Sequence, residues 1–149
     1  MIRVQTKDFD VGRELSSLTE HNVSIGGIVT FVGTVRGNAE GNDVGAMTLE
    51  HYPGMTHKEL EKIENTARER WNLAGSLIIH RHGRLKPGDR IVLVITASAH
   101  RRDAFEACEF LVDWLKTKAP FWKLEETSDG TRWVASRATD DAASSRWTE

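Results

Sequence analysis

The segment RIVLVITASAHRRDAFEACEFLVDWLKTKAPFWK, Arg90 to Lys123, decides the fold. Its first ten residues, 90–99, are apolar and β-branched and read as a buried strand. The period then changes. Ala104, Cys108, Leu111 and Leu115 recur at helical spacing, widened by Phe105 and Val112, and predict a helix over about 103–118. Asp103 and Glu106 have the spacing of a capping box at its start. Pro120 must end it, because the residue before a proline is driven out of the α region. WKLEETSDGTRWV (122–134) follows as a hairpin turning at Asp129-Gly130. A buried strand, a long amphipathic helix and a hairpin in succession already favour a mixed fold.

The flanks agree. IRVQT (2–6) predicts a short strand, and Asp10 is placed to cap a short helix carrying Val11, Leu15 and Leu18 on one face. SIGGIVTFVGTV (24–35) is a strand in which Gly26, Gly27 and Gly33 mark bulges or close approach. RGNAEGNDV (36–44) reads as a loop, and VGAMTLEHY (44–52) resumes the strand pattern. After a Pro53-Gly54 turn, Thr56 and Glu59 give a second capping box, and Leu60, Ile63, Ala67 and Trp71 predict a helix over 56–71. SLIIHRHG (76–83) is a strand and KPGD (86–89) a turn. With strands outnumbering helices and joined by short turns, the chain is expected to be a single α+β domain over 1–149 with a mostly antiparallel sheet. The tail over about 138–149 is expected to be mobile. There is no internal repeat, and no Gly-rich phosphate loop of the GxGxxG or GxxxxGK[ST] type.

Composition narrows the function classes. The 149 residues carry a net charge of −2, so an anion site must be local rather than a global basic field. No apolar run approaches the ~18 residues of a membrane span, and the N-terminus lacks a signal-peptide core. Neither nucleic acid nor membrane is expected as a partner. The single cysteine, Cys108, cannot form an internal disulfide. These features predict a protein of a reducing compartment, the cytoplasm.

Several residues are candidates for chemistry, each against a plainer reading. Cys108 is either a nucleophile or, on the stripe with Leu111 and Leu115, an inert core residue; its place on that stripe favours the core. His51, His80 and His82 invite comparison with metal sites, but no acidic or cysteine ligand stands at a familiar spacing, so no metal is expected. His100-Arg101-Arg102 sits where a strand gives way to a helix start, a place suited to an anion, although the arginines also have Asp103 and Glu106 to pair with. Arg36 follows the glycine-containing strand end Gly33-Thr34-Val35. Lys116 and Lys118 fall in the last helical turn, where cations complement the helix dipole. Lys123 follows Phe121-Trp122, whose rings exclude water and strengthen electrostatic contacts, a setting that suits proton transfer.

Four ordered blocks, GTVR (33–36), LEHYPGM (49–55), ASAHR (97–101) and LKTKAPFWK (115–123), give a more specific signal. Together, through roughly residues 25–134, they resemble the large, catalytic subunit of molybdopterin synthase. The resemblance implies transfer of sulfur to cyclic pyranopterin monophosphate to form the dithiolene of molybdopterin. It implies no cofactor, because a small ubiquitin-like partner ending in Gly-Gly brings the sulfur as a C-terminal thiocarboxylate. It also implies a homodimer of large subunits inside a 2+2 heterotetramer. By position, the family's substrate contacts fall on Thr34, Val35, Arg36, His100, Arg101, Lys116, Lys123, Leu124 and Glu125, with His100 and Arg101 reaching the neighbouring protomer's site. The catalytic residues implied are Lys116 and Lys123. Position 124 is often basic in the family and is leucine here, leaving only a backbone contact. Arg137 aligns too loosely to carry a role. The competing readings are a non-enzymatic scaffold for a ubiquitin-like partner and a single-stranded nucleic-acid module using the Phe-Trp pair as a stacking platform.

Overall fold

The computed structural model describes residues 1–39, 42–128, 130–134, 142–143 and 145–147; of 38, 39 and 42–44 it gives the backbone alone. In chain order the elements are β1 (Ile2–Gln5), α1 (Val11–Thr19), β2 (Gly27–Thr34), β3 (Asn38–Ala39), β4 (Asn42–His51), α2 (Met55–Arg70), β5 (Leu73–Arg81), β6 (Gly83–Leu85), β7 (Arg90–Ser98), α3 (Arg101–Thr117), β8 (Phe121–Thr127) and β9 (Gly130–Val134).

β7 is the spine. Every residue from Ile91 to Ser98 is buried, because both faces of its sheet are covered. That sheet has the order β1-β5-β7-β2, with β1 running parallel to β5 and the other pairs antiparallel. Side-chain alternation sends Ile78, Val92 and Val94 to one face, where Ile63 and Ala67 of α2 and Cys108, Phe110 and Leu111 of α3 cover them. It sends Leu77, Ile79, Leu93 and Ile95 to the other, against Phe9 and the α1 residues Val11, Leu15 and Leu18.

The second sheet is built on β4, which pairs with β3, β6 and β8; β9 adds to β8. Met47, Leu49 and Leu85 from this sheet join the α2–α3 core, so both sheets share one hydrophobic centre. Among the described residues all pairs except β1–β5 are antiparallel, as the α+β expectation requires. No described helix is long and apolar enough to cross a membrane.

Several local expectations need correction. Neither capping box forms. The α2 start is Gly54, at φ 83°, and Thr56 is instead fully buried, donating its hydroxyl to Tyr52 O at 2.8 Å. The α3 start is His100, without a side-chain cap. Asp103 accepts from the Asn72 N–H, and Glu106 from the Trp71 indole at 2.8 Å. In α3 tertiary partners have taken the capping side chains, and in α2 the helix starts before Thr56 and its hydroxyl bonds the local Tyr52 carbonyl. The expected 36–44 loop contains β3 and the start of β4, paired Asn38 to Asp43. Phe105 does not widen the α3 stripe; it is 60% exposed, and Phe110 lies in the core instead. The strand expected over 76–83 runs from Leu73 to Arg81, and Gly83, at φ 90°, lets the chain leave for the second sheet as β6.

The β8–β9 hairpin stands where expected, though Asp129 of its turn lies outside the described residues, as do Arg137 and most of 138–149. From that tail, Trp147 reaches back to set its ring edge-on to Trp71 and Phe110, and its indole donates to Asp113 at 2.6 Å.

Candidate active site

The register of the first sheet fixes which predicted residues can meet. Gly33 lies opposite Val92, and Val92 opposite His80, so the C-terminal end of β2, the start of β7 and the end of β5 are level. Thr34, Val35 and Arg36 therefore lie at this end of the sheet. Val35 is buried in the core and tied to the 86–89 turn by its N–H to Asp89 O (2.9 Å) and its carbonyl to Gly88 N–H (2.8 Å). Thr34 and Arg36 are exposed on either side of it.

α3 delivers Lys116 to the same end. The helix starts at Arg101, at the far end of β7, and runs back along the sheet for 17 residues, a path of about 25 Å at 1.5 Å per residue. Pro120 then reverses the chain into β8. Phe121 and Lys123 project to one face of that strand, alongside His51 and the fully buried Leu49 on β4. Lys116 and Lys123 flank this reversal, and both act electrostatically on the His80 ring.

His80 is the least obvious member of the site. It is only 6% exposed. Its ring stacks on Phe121 with centroids 3.8 Å apart and planes 15° from parallel. Its Nδ1 lies 2.8 Å from Arg81 O, so in the neutral ring Nδ1 carries the proton and donates it. Burial pushes the His80 pKa down to about 3, the Arg81 carbonyl opposes, and Lys123, Lys116 and His51 push it lower. His82, also lowered chiefly by burial and then by His51, sets its ring edge-on to His51 at 4.4 Å. His51 in turn places Nδ1 3.1 Å from the Thr56 hydroxyl. Among the described residues no group of three His, Cys, Asp or Glu is arranged to hold a metal ion.

The His80 environment gives a pH prediction. The unfolded ring titrates near its ordinary 6.5 while the folded ring stays neutral down to about 3. Below pH 6.5 the unfolded chain therefore binds more protons, and stability falls as pH falls, by up to about 1.4 kcal/mol per unit. The lowered carboxylates Asp8, Glu14 and Glu106 add to this only below their ordinary 3.8 to 4.5. Urea unfolding between pH 6.5 and 4.5 should show the slope in the wild type and a reduced one in His80→Phe, with His82 retaining a share. A flat wild-type profile would contradict the burial of a neutral ring.

Two predicted residues are placed differently. Leu124 faces away from Lys123, opposite Thr48 and Trp133 on the outer face of the second sheet. Glu125 shares the Lys123 face but is buried, and its carboxylate accepts from Arg132 at 3.3 Å. Lys118 is the C-cap of α3 and does not enter the lysine site.

His100 and Arg101 do not join the lysines within one chain. Six residues of β2 separate the Gly33 level from Gly27, which lies opposite Ser98. At about 3.4 Å per residue that is roughly 20 Å, in agreement with the length of α3. Among the described residues the side chains of Arg36, His100 and Arg101 form no hydrogen bond or ion pair, whereas Arg102 is engaged by Glu106 at 3.0 Å. The glycine pair anticipated at 26–27 holds this corner: a Cβ on Gly26 would lie 2.1 Å from Ala99 O, and one on Gly27 3.0 Å from Arg101 Cα.

Cys108 settles as core. It is 4% exposed, beside Thr96, and burial pushes its pKa up to about 12. We expect a native-state thiol that does not react with iodoacetamide at pH 8, and a Cys108→Ala variant that loses on the order of 1 kcal/mol of stability with turnover per folded molecule unchanged. Rapid labelling of the folded chain would reverse this assignment.

An α+β chain that places two lysines at a chain reversal, leaves Arg36 and Arg101 without a partner among the described residues and buries its single thiol is equipped to handle anions without a sulfur nucleophile of its own. The comparisons are specific. The family model described as MoaE protein matches residues 4–118. The molybdopterin synthase catalytic subunit of Pseudomonas aeruginosa is 56% identical, covering 99% of each chain. The structure of the molybdopterin biosynthesis MoaE protein from Burkholderia ambifaria is 54% identical, with TM-score 0.85 over 100% of this chain and 98% of that one. A complex of subunits 1 and 2 of molybdopterin-converting factor from Helicobacter pylori shares the fold, at TM-score 0.74 and 21% identity over 91% of each chain. The chain belongs to the MoaE protein family.

Proposed function

We propose that this chain is the catalytic subunit of a molybdopterin synthase. It transfers sulfur from the thiocarboxylated C-terminus of a small ubiquitin-like partner to cyclic pyranopterin monophosphate. The observation that carries the reading to residues is that Lys116, in the last turn of α3, and Lys123, two residues beyond the Phe121 ring stacked on buried His80, flank the same chain reversal. Each transfer breaks an acyl C–S bond of the partner and forms a C–S bond on the pterin in place of a C–O bond at that carbon, whose oxygen leaves with a proton, while water takes the acyl carbon to a carboxylate. Negative charge develops on the acyl oxygen, and Lys116 is placed to stabilise it or to move a proton. Lys123 orients the pterin or the partner terminus. The sulfur comes with the partner, so neither a cofactor nor Cys108 is needed.

The pterin phosphate calls for the remaining cations. Arg36 stands at the lysine end of the sheet, and His100 and Arg101 stand roughly 20 Å away by strand rise. One phosphate cannot bridge that span, so Arg36 and the His100–Arg101 pair act together only if a second copy of the chain brings its own His100 and Arg101 to these lysines. The proposed assembly is therefore a homodimer of this chain with one small partner at each end, in the cytoplasm. Thr34 and Val35 shape the floor beside Arg36, and Leu124 and Glu125 serve through backbone groups, since Glu125 is held by Arg132.

The test is reconstitution with the thiocarboxylated partner and cyclic pyranopterin monophosphate, reading dithiolene formation. Product that depends on the thiocarboxylate supports the reading. No product from a folded wild-type complex defeats it. Binding of the partner with full activity in the absence of Lys116 would favour the scaffold alternative.

A further inference from the structure

Lys123 is not placed by its own strand alone. It follows the Pro120 reversal, where the chain has just left α3, and the structure shows what pins that reversal. The Phe121 N–H donates to Ala119 O at 2.7 Å, closing the turn. The Phe121 ring lies flat on His80, 3.8 Å away and 15° from parallel. His51 also leans toward it, with centroids 5.7 Å apart. His80 itself cannot swing, because it is buried in β5, opposite Val4 of β1 and Val92 of β7, and its Nδ1–H is fixed on Arg81 O. Two residues beyond Phe121, on the same face of β8, stands Lys123.

A chain therefore runs from the rigid sheet to the reactive amine: β5 fixes His80, His80 fixes the Phe121 ring, and Phe121 sets the origin of the strand that carries Lys123. We propose that His80 is a positioning residue of the lysine pair, holding Lys123 toward Lys116 through its stack on Phe121. Its burial is suited to the task, since a ring that stays neutral brings no added charge beside the lysines. A stacked ring also tolerates little sideways slip, and small misplacements of a reacting group are costly: a displacement of about 1 Å can cost on the order of a hundredfold in rate. The activity readout below rests on the molybdopterin synthase reading, whereas the labelling readout does not.

The experiment compares His80→Gln, which keeps a donor and loses the stack, with His80→Phe, which keeps the stack and loses the donor. Both are assayed as the full complex with thiocarboxylated partner and cyclic pyranopterin monophosphate, per folded molecule. His80→Gln is expected to lower kcat at least tenfold with KM for the pterin within about threefold, and His80→Phe to recover to within about threefold of wild type. In parallel, acetylation by a small amine-reactive ester is followed by peptide mass spectrometry. The Lys123 rate relative to Lys118 should change at least threefold in His80→Gln and stay near wild type in His80→Phe. If His80→Gln does not fold, Phe121→Leu removes the other half of the stack and should give the same two losses. Wild-type kcat and labelling ratio in a folded His80→Gln or Phe121→Leu would overturn the proposal, as would a His80→Phe loss as deep as that of His80→Gln. If Lys123→Ala itself keeps full turnover, the catalytic role given to Lys123 fails, and the labelling ratio still decides whether His80 positions the amine.

Discussion

Lys116→Ala is expected to lower dithiolene formation by a hundredfold or more while leaving the fold and the affinity for the small partner intact. Losing a group that stabilises a developing oxyanion or transfers a proton typically costs 10²–10⁴ in rate. Stability should hardly move. Lys116 is exposed in the last turn of α3, where its helix-dipole contribution is worth about 0.3–1 kcal/mol. Lys123→Ala should also depress turnover, by tenfold or more, with a larger share in KM if its role is to orient substrate. Lys118→Ala is the control, because Lys118 caps α3 away from the site. Turnover by Lys116→Ala within twofold of wild type would remove the lysine from the mechanism.

The second large effect is on folding. Gly26→Ala would force a Cβ to within 2.1 Å of the Ala99 carbonyl oxygen, a backbone atom that cannot rotate away. The Gly26 N–H already donates to Ser98 O at 2.9 Å, so the two segments cannot part without losing that bond. Overpacking of this kind costs about 3 kcal/mol, which lowers Tm by about 6–12 °C in a chain of this size. The corner that moves is the one bearing His100 and Arg101, so turnover per folded molecule should fall as well. Gly12→Ala is the contrast: Gly12 lies in α1 with its nearest neighbour 3.7 Å from the added carbon, and the exchange should stabilise by up to about 1 kcal/mol. Equal melting temperatures for the two variants would show that the 26–27 approach is softer than its geometry implies.

The sequence carried the periodic and steric parts of the fold plainly. The α2 and α3 stripes, the Pro120 stop, the β8–β9 hairpin and the close approach at Gly26 and Gly27 are local or nearly local facts, and each is found in place. Cys108 was legible because a stripe of buried neighbours says what happens to a thiol among them. The capping boxes failed for the opposite reason. Thr56, Asp103 and Glu106 have the right spacing, but the α2 cap is Gly54, two residues before Thr56, whose hydroxyl turns to the local Tyr52 carbonyl, and Asn72 and Trp71, brought near only by the tertiary fold, take the carboxylates of Asp103 and Glu106.

The candidate site was legible as residues and not as an arrangement. Arg36, His100, Lys116 and Lys123 could be named from their motifs, yet nothing in the chain's order says that β2 and β7 pair so as to put Arg36 and His100 at opposite ends. That separation, on which the proposed second copy of the chain rests, comes from register alone. His80 was passed over because an alternating His-Arg-His reads equally as surface, satisfied core or ligand. Its stack on Phe121 joins residues 41 positions apart, a contact without a local signal.

The most direct test of the composite site mixes two inactive chains. Protomers carrying Lys116→Ala are combined with protomers carrying Arg101→Ala, exchanged to equilibrium and assayed with thiocarboxylated partner and cyclic pyranopterin monophosphate. If each site takes Lys116 from one copy and Arg101 from the other, half the dimers are mixed and each mixed dimer holds one intact site, so turnover should return to about a quarter of wild type. If the mixture stays as inactive as its components after demonstrated exchange, the two residues serve the same protomer's site or none, and the account is contradicted.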